Sequence, residues 1–362
     1  MFPWQQAQWG AAAGFRLLPG GLMTTKGDSI KVSILKALQD AEAPIGASRI
    51  AERLYSMGLA IRPRTVRFYL LQLDRDGLTQ RVSRRRGRTL TERGREELAR
   101  ANVLEKIGFV AAKVDTLGYR MNFCLRKGEG TIISNVGIIH KRDLGRALWA
   151  MKPVFEAKLA MGDRLFLAKE GEKIGGFVVP KDTVGIATVC SVTLNGILLS
   201  ERIPVTSRFG GLVEIRNRQP VRFVELIEYS GTTLDPLEAY IRAGMTQAAE
   251  CARTGTGIIG ASFREVPSAA LDVVRRLHRM MEQRGLGGIL AIGKPNRPLM
   301  EIPVADGRAG LVVIGGLNPV AAVHEAGIRV GLRSLAGLAD YSLFLCFREI
   351  VAMAPKRRVF PE

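Results

Sequence analysis

From Ile30 onward the apolar positions recur at helical spacing. Ile30, Ile34, Leu35 and Leu38 fall on one side of a segment that Asp28-Ser29 can cap. Ala43-Pro44-Ile45-Gly46 interrupts the pattern. A second short helix is predicted from Ser48 to Ser56, with Ile50, Ala51 and Leu54 on one face. Met57-Gly58-Leu59 ends it, because glycine accepts the left-handed turn that closes a helix. A third helix is predicted from Pro63, a residue suited to the first helical position. Its Val66, Tyr69 or Leu70, and Leu73 face a core, while Arg64, Thr65, Arg67 and Phe68 project elsewhere, and Gly77-Leu78 closes it. A hairpin follows: Leu78 to Val82, a turn over residues 83–88, and a return strand at Thr89-Leu90. The last helix of the segment opens at Thr91 and contains Leu98 and Val103.

Three helices, a basic hairpin and a closing helix form the order of a winged helix-turn-helix, assigned to residues 28–104. In that architecture the second of the paired helices enters the major groove and the hairpin lies on adjacent backbone or minor groove. Charge points the same way. The chain has 53 Lys and Arg against 34 Asp and Glu, a net +19. Residues 61–100 hold twelve arginines and five acids, whereas residues 101–362 spread 35 basic and 25 acidic residues over a far longer stretch. An arginine run in a turn is by itself often a solvated loop; the helical order around it makes it a candidate interface. Arginine suits bidentate contact with guanine or phosphate. Arg64, Thr65 and Arg67 are therefore base-edge candidates, with Arg62 beside them in the DNA-binding set, and Arg84, Arg85, Arg86 and Arg88 are phosphate anchors.

Past residue 105 the chain turns Gly-, Val- and Ile-rich, and it repeats itself about 125 residues on. Gly130-Thr131-Ile132-Ile133 resembles the stretch Gly255 to Ile259, and Gly185-Ile186-Ala187-Thr188-Val189 matches Gly310 to Ile314. Ile203-Pro204-Val205 answers Ile328-Arg329-Val330, and residues 209–214 answer 335–340 after a slip of one. Each copy reads as a strand (Thr131 to Asn135; Gly257 to Ser262), a helix (Arg142 to Glu156; Ser268 to Arg284), two or three strands and a Gly-rich close. The fold class is therefore α+β: a winged helix followed by an internally duplicated domain, with halves at 105–236 and 237–345 and a basic tail at 346–362. Two homologous halves packed as a pseudo-dimer create a shared cleft, a common place for a small ligand.

Composition adds limits. With 47% hydrophobic and 24% charged residues the chain can bury a core. Residues 1–27 read as a disordered extension or an early start; a signal peptide would need a charged leader, and Arg16 lies inside the apolar stretch. Four scattered cysteines without a Cys-x-x-Cys suit a reducing cytoplasm, three histidines leave little material for a metal site, and no apolar run reaches membrane-spanning length. Gly255-Thr256-Gly257-Ile258-Ile259-Gly260 fits a dinucleotide fingerprint, yet Met245 to Arg253 reads as helix before it and a strand follows, the reverse of what a pyrophosphate site needs. His324-Glu325 lacks a second histidine, and His278 sits among Arg275, Arg276 and Arg279. No enzyme is expected.

The assembled pattern resembles the NrpR-type nitrogen-regulation repressors. The likeness is carried by Ile34-Leu35-Lys36-Ala37-Leu38 through Leu90-Thr91-Glu92-Arg93-Gly94, similar to the winged helix that also fronts ribonuclease R, and by Val114-Asp115-Thr116, residues 130–135, Ser207-Arg208-Phe209-Gly210-Gly211 and residues 229–236. The resemblance implies a homodimeric repressor on double-stranded, inverted-repeat operators of nitrogen-assimilation genes, released by 2-oxoglutarate. A dicarboxylate effector needs cations or N–H donors in a cleft. Arg208 comes first, with Arg333 near the corresponding place in the second copy. Thr193 and Asn195, read as polar groups in a turn, and Asn318 from the second half complete the candidates. An RNA-associated winged helix and an enzyme in the duplicated domain remain the alternatives.

Overall fold

In the computed structural model, which describes residues 26–353 apart from 42, 57, 58, 84, 85 and 102–108, the chain divides between residues 104 and 105 into two units with separate cores. Residues 1–25 of the expected extension, Met57, Gly58, Arg84, Arg85, Val103 and tail residues 354–362 lie outside the described residues.

The first unit is built from α1 (Lys26–Gln39), α2 (Ala47–Ser56), α3 (Pro63–Arg75), β1 (Thr79–Ser83), β2 (Gly87–Leu90) and α4 (Glu92–Ala101). The apolar stripes meet as the sequence pattern requires: Ile34, Ile50, Leu54, Val66, Leu70, Leu73 and Leu98 are buried together. Pro63 opens α3 behind an extended Arg62. The hairpin is tied to the connection between α1 and α2 at Ile45. Ile45 and Arg88 exchange backbone hydrogen bonds at 3.0 and 3.1 Å. Gly87, in the left-handed region at φ 94°, lies so close that a Cβ there would run into the Ile45 carbonyl.

The second unit carries the repeat as β3 (Thr131–His140), α6 (Leu144–Glu156), β4 (Arg164–Ala168), β7 (Thr183–Val189), α7 (Thr193–Ser200) and β8 (Thr206–Arg216), then β10 (Gly257–Pro267), α10 (Leu271–Gln283), β11 (Ile289–Ile292), β12 (Arg308–Ile314), α11 (Asn318–Glu325) and β13 (Gly331–Asp340). Around it lie α5 (Phe109–Arg120), a small hairpin of β5 (Lys173–Ile174) and β6 (Phe177–Val178), β9 (Gln219–Glu228), α8 (Pro236–Arg242), α9 (Ala248–Thr254), β14 (Leu345–Cys346) and α12 (Phe347–Met353).

The described residues of this unit form two five-stranded sheets, ordered β13-β3-β7-β4-β14 and β11-β12-β10-β8-β9, and the two-stranded β5-β6 hairpin. Their pairings are antiparallel. The last strand of each repeat joins the sheet of the other: β8 pairs with β10, and β13 pairs with β3. The halves are thus interlocked rather than merely packed. Register fixes the correspondence between them. Ser134 faces Val189 in one sheet and Ala261 faces Ile314 in the other.

Three expectations about local structure change. The strands expected to stop at Asn135 and Ser262 run on to His140 and Pro267, because they are buried on both faces and carry no alternation to mark their length. Val192 to Gly196 is no turn: Thr193 opens α7, whose residues 193–198 are all buried. A helix without a polar face shows no stripe, so its Thr, Asn and Gly resemble loop residues in sequence. The helix expected from Met245 starts at Ala248.

Candidate functional site

On the first unit, α3 divides cleanly into two faces. Val66, Leu70 and Leu73 are buried, while Arg62 before the helix and Arg64, Thr65, Arg67, Phe68, Leu71 and Arg75 are exposed. Arg62, Arg64 and Arg67 make no ion pair among the described residues. Arg86, in the hairpin turn, is also exposed, and its backbone N–H donates to Ser83 Oγ at 2.9 Å. Arg88 is placed otherwise. Its Nε donates to both oxygens of Asp74, at 2.8 and 3.1 Å, and the side chain is only 13% exposed. Asp74 also accepts from Thr79 Oγ1 at 2.6 Å, so this network fastens the wing to the end of α3.

The second unit contains a cleft of about 760 Å³. Its walls are α5, Ile138 of β3, the β5–β6 hairpin and Pro180, the stretch 233–235, α8 and the start of β13. β13 bulges here: Arg333 faces Val136 and Gly337 faces Ser134, so two surplus residues are looped into the strand. Leu335, within the bulge, takes a left-handed φ of 49°, and its N–H donates to Asn135 Oδ1 at 3.0 Å. The hairpin approaches this bulge through Gly175, where a Cβ would lie 2.7 Å from the Ala336 carbonyl oxygen. Phe177 then reaches Arg333, whose guanidinium carbon stands 4.2 Å from the ring centroid.

Cations and carboxyls both line the cleft. Arg333 and Lys113 have no ion-pair partner among the described residues, whereas Arg242 pairs with Glu238 at 2.6 Å. The other Glu238 oxygen accepts from Ser334 N–H and Oγ at 3.1 and 3.0 Å, which fixes the bulge to α8. Asp235 caps α8, its Oδ1 accepting from the N–H groups of Leu237 and Glu238. Burial pushes its carboxyl up to about 6, and the nearby Glu238 adds to the shift, while the helix N–H groups and Lys113 oppose it.

Of the five residues expected to hold an effector, Arg333 alone lines this cleft. Thr193 and Asn318 hold corresponding places at the starts of α7 and α11, and both clamp a peptide of a central strand. Thr193 Oγ1 lies 3.2 Å from both N and O of Ile133. Asn318 accepts from Gly260 N–H at 2.9 Å and donates to the carbonyls of Gly260 and Leu159. Asn195 donates to Ser207 Oγ at 3.0 Å, and its Oδ1 has no hydrogen-bond partner among the described residues. Arg208 lies at a bulge of β8, where it bonds Glu265 at 2.6 Å and the Pro303 carbonyl at 2.7 Å.

Sequence reasoning missed several residues. Lys113, Phe177 and Glu238 gave no motif, though Asp235-Pro236 is a recognisable helix opening. Arg264, in the apolar run of β10, is fully buried and donates to Ser191 O and Oγ at 2.7 and 3.0 Å. Cys190 is buried beside it, and burial raises its thiol to about 12, outside the range of a reactive thiolate. Gly255 is the left-handed cap of α9 and β10 starts at Gly257, so the fingerprint-like glycines open a strand rather than a helix. Among the described residues no group of three or more His, Cys, Asp or Glu could hold a metal ion, and no helix is long and apolar enough to cross a membrane.

Residues 107–345 match the family model described as NrpR regulatory domains NRD1 and 2, and residues 32–98 match that of the ribonuclease R winged-helix domain. The global nitrogen regulator NrpRI of Methanosarcina mazei is 31% identical over 310 residues, covering 86% of this chain and 95% of the relative. The global nitrogen regulator NrpR of Methanococcus maripaludis is 31% identical over 314 residues; there the chain spans 54% of the relative's length. A crystal structure of a nitrogen repressor-like protein from Methanococcus jannaschii superposes with a TM-score of 0.55 at 28% identity, over 65% of this chain and 97% of that one.

Proposed function

This chain belongs to the NrpR family of nitrogen regulators, and from that membership we propose that it is a homodimeric DNA-binding repressor of nitrogen-assimilation genes, with 2-oxoglutarate as its inducer. The observation that carries the reading is the outward face of α3. Arg64 and Arg67 stand exposed, without ion pairs among the described residues, on a helix whose opposite face is buried in the unit's core. Such a face presents guanidinium forks to base edges while the core holds the helix rigid. Arg62 and Thr65 flank it. Arg86 supplies phosphate contacts, the role the sequence also assigns to Arg84 and Arg85. Arg88 acts within the fold, holding the wing against Asp74.

Two copies on an inverted repeat require a fixed separation of their α3 helices. A dicarboxylate entering the cleft beside Arg333 and Lys113 favours one arrangement of the duplicated domain over another, and control extends only as far as its affinity differs between the two, about 1–3 kcal/mol. The test is fluorescence anisotropy on the chain's own promoter duplex, with scrambled DNA and a matched RNA, at several salt concentrations and with or without millimolar 2-oxoglutarate. Promoter-selective binding weakened by 2-oxoglutarate is expected, with Arg67→Ala costing about 1–3 kcal/mol. Unchanged promoter affinity in Arg67→Ala removes α3 as the reading helix. The match of residues 32–98 to a ribonuclease R winged helix favours a second reading, an RNA-binding module, which preference for the RNA arm would select.

A further inference from the structure

The duplication sets an arginine at the same point of each exchanged strand. Arg208 follows Val205 by three residues on β8, and Arg333 follows Val330 by three on β13. Both lie at bulges, and both guanidinium groups stand over an aromatic ring, at 4.8 Å from Phe209 and 4.2 Å from Phe177. Their neighbours differ. Thr206 faces Glu265 across the strand pair, and its counterpart Gly331 faces Ile138. Glu265 is buried, with one oxygen 2.6 Å from Arg208 and the other 3.7 Å from Arg308. Thr183 takes the place of Arg308 in the first half. So the first sheet has an arginine over an aromatic ring but isoleucine where the second has its glutamate; Ile138 and Arg333 both line the open cleft, whose own carboxyls Asp235 and Glu238 are engaged by the start of α8 and by Arg242 and Ser334.

We propose that Glu265 is a built-in occupant: the duplicated domain inherited two carboxylate sites, the second half fills its own from within, and the first half leaves Arg333 for the carboxylate of a ligand. The duplicated domain then takes one carboxylate ligand per chain. The contact it makes is the one displayed at Arg208, a short charge-assisted hydrogen bond to a guanidinium backed by a ring. This rests on the reading that the cleft takes an acidic effector, and it adds the anchoring residue and the stoichiometry.

Isothermal titration of the full chain with 2-oxoglutarate, and separately with succinate, tests it. Wild type should take one equivalent per chain. Ile138→Glu supplies from within the carboxylate that Glu265 supplies in the other half, and should lower affinity at least about 100-fold, whereas Ile138→Gln, similar in size and uncharged, should lower it no more than about tenfold. Glu265→Ile, the reverse exchange, should add a second equivalent. A thermal melt of each variant separates loss of binding from loss of fold, and Arg333→Met, at a solvent-open position, gives an independent loss of the first equivalent. Two equivalents in wild type, or Ile138→Glu binding like wild type, overturns the assignment while leaving an acidic effector in place. Succinate bound as described and 2-oxoglutarate refused keeps the site and discards that inducer. Refusal of both probes overturns the effector reading and the site together.

Discussion

Arg208 and Arg333 hold corresponding places on strands that cross between the halves, yet Arg208 is locked by Glu265 into the second sheet and Arg333 stands open in a cleft of the first. Thr193 and Asn318 show the opposite behaviour: the side chains differ, and both fasten the start of a helix to the peptide of the central strand. Duplication has thus kept a structural task while changing the residue, and kept a residue while changing its task. The partner across the strand decides which. Glutamate at position 265 satisfies its arginine, and isoleucine at the matching position 138 cannot.

The comparison can be broken at its strongest point first. Asn318→Ala strips buried partners from Gly260 and Leu159 and should destabilise the chain by about 3 kcal/mol in urea unfolding, with Thr193→Val costing roughly half as much because its contacts are longer. Equal costs would mean that the two clamps are matched in strength despite their different contacts. Glu265→Ala should cost about 2 kcal/mol, less than a fully buried pair because Arg208 and Arg308 remain partly open to water.

The halves also treat buried carboxyls differently, and pH reads this out. Asp235 has helix N–H groups where Glu265 has two arginines, and burial raises its folded pKa to about 6. The unfolded chain therefore loses this proton first. Stability contributed by the protonated group is present below about pH 4, declines as pH rises toward 6, and is absent above, an effect on the order of 2 kcal/mol. Asp235→Asn keeps the capping oxygen and removes the titration. Its urea midpoint should exceed that of wild type at pH 7, and the difference should vanish near pH 4; a constant offset at both pH values would show that the carboxyl does not titrate in this window. The smallest expected effect separates the two arginines directly. Arg208→Ala should lower stability by about 1 kcal/mol and Arg333→Ala by less than about 0.5 kcal/mol; matching losses would mean that Arg333 is as much a structural residue as Arg208.

The winged helix was readable because its signals are local: three short apolar stripes, Pro63 at a helix start, and Gly87 in a basic turn. The repeat was readable because both copies keep the same apolar segments at one offset. What escaped depends on partners distant in sequence. Arg88 reads as a free cation until Asp74, fourteen residues earlier, is seen beside it. The cleft draws its walls from five separate segments, so Lys113, Phe177 and Glu238 carry no shared spacing. Thr193, Asn195 and Asn318 drew notice as polar residues in apolar surroundings, and such residues are as often interior hydrogen-bonding groups as ligands.

The exchange of last strands also sets a timetable. Leu335 on β13 bonds Asn135 on β3 across 200 residues of chain. During synthesis at about 5–20 residues per second, the first sheet therefore waits about 10–40 s for its edge strand after its central strand has been made. Through that interval the side of β3 that will receive β13 has unpaired N–H and C=O groups, a template for strands from other chains. The first half has no finished form of its own to fold into while the ribosome works, so its sheet is completed only once β13, in the second half, has emerged.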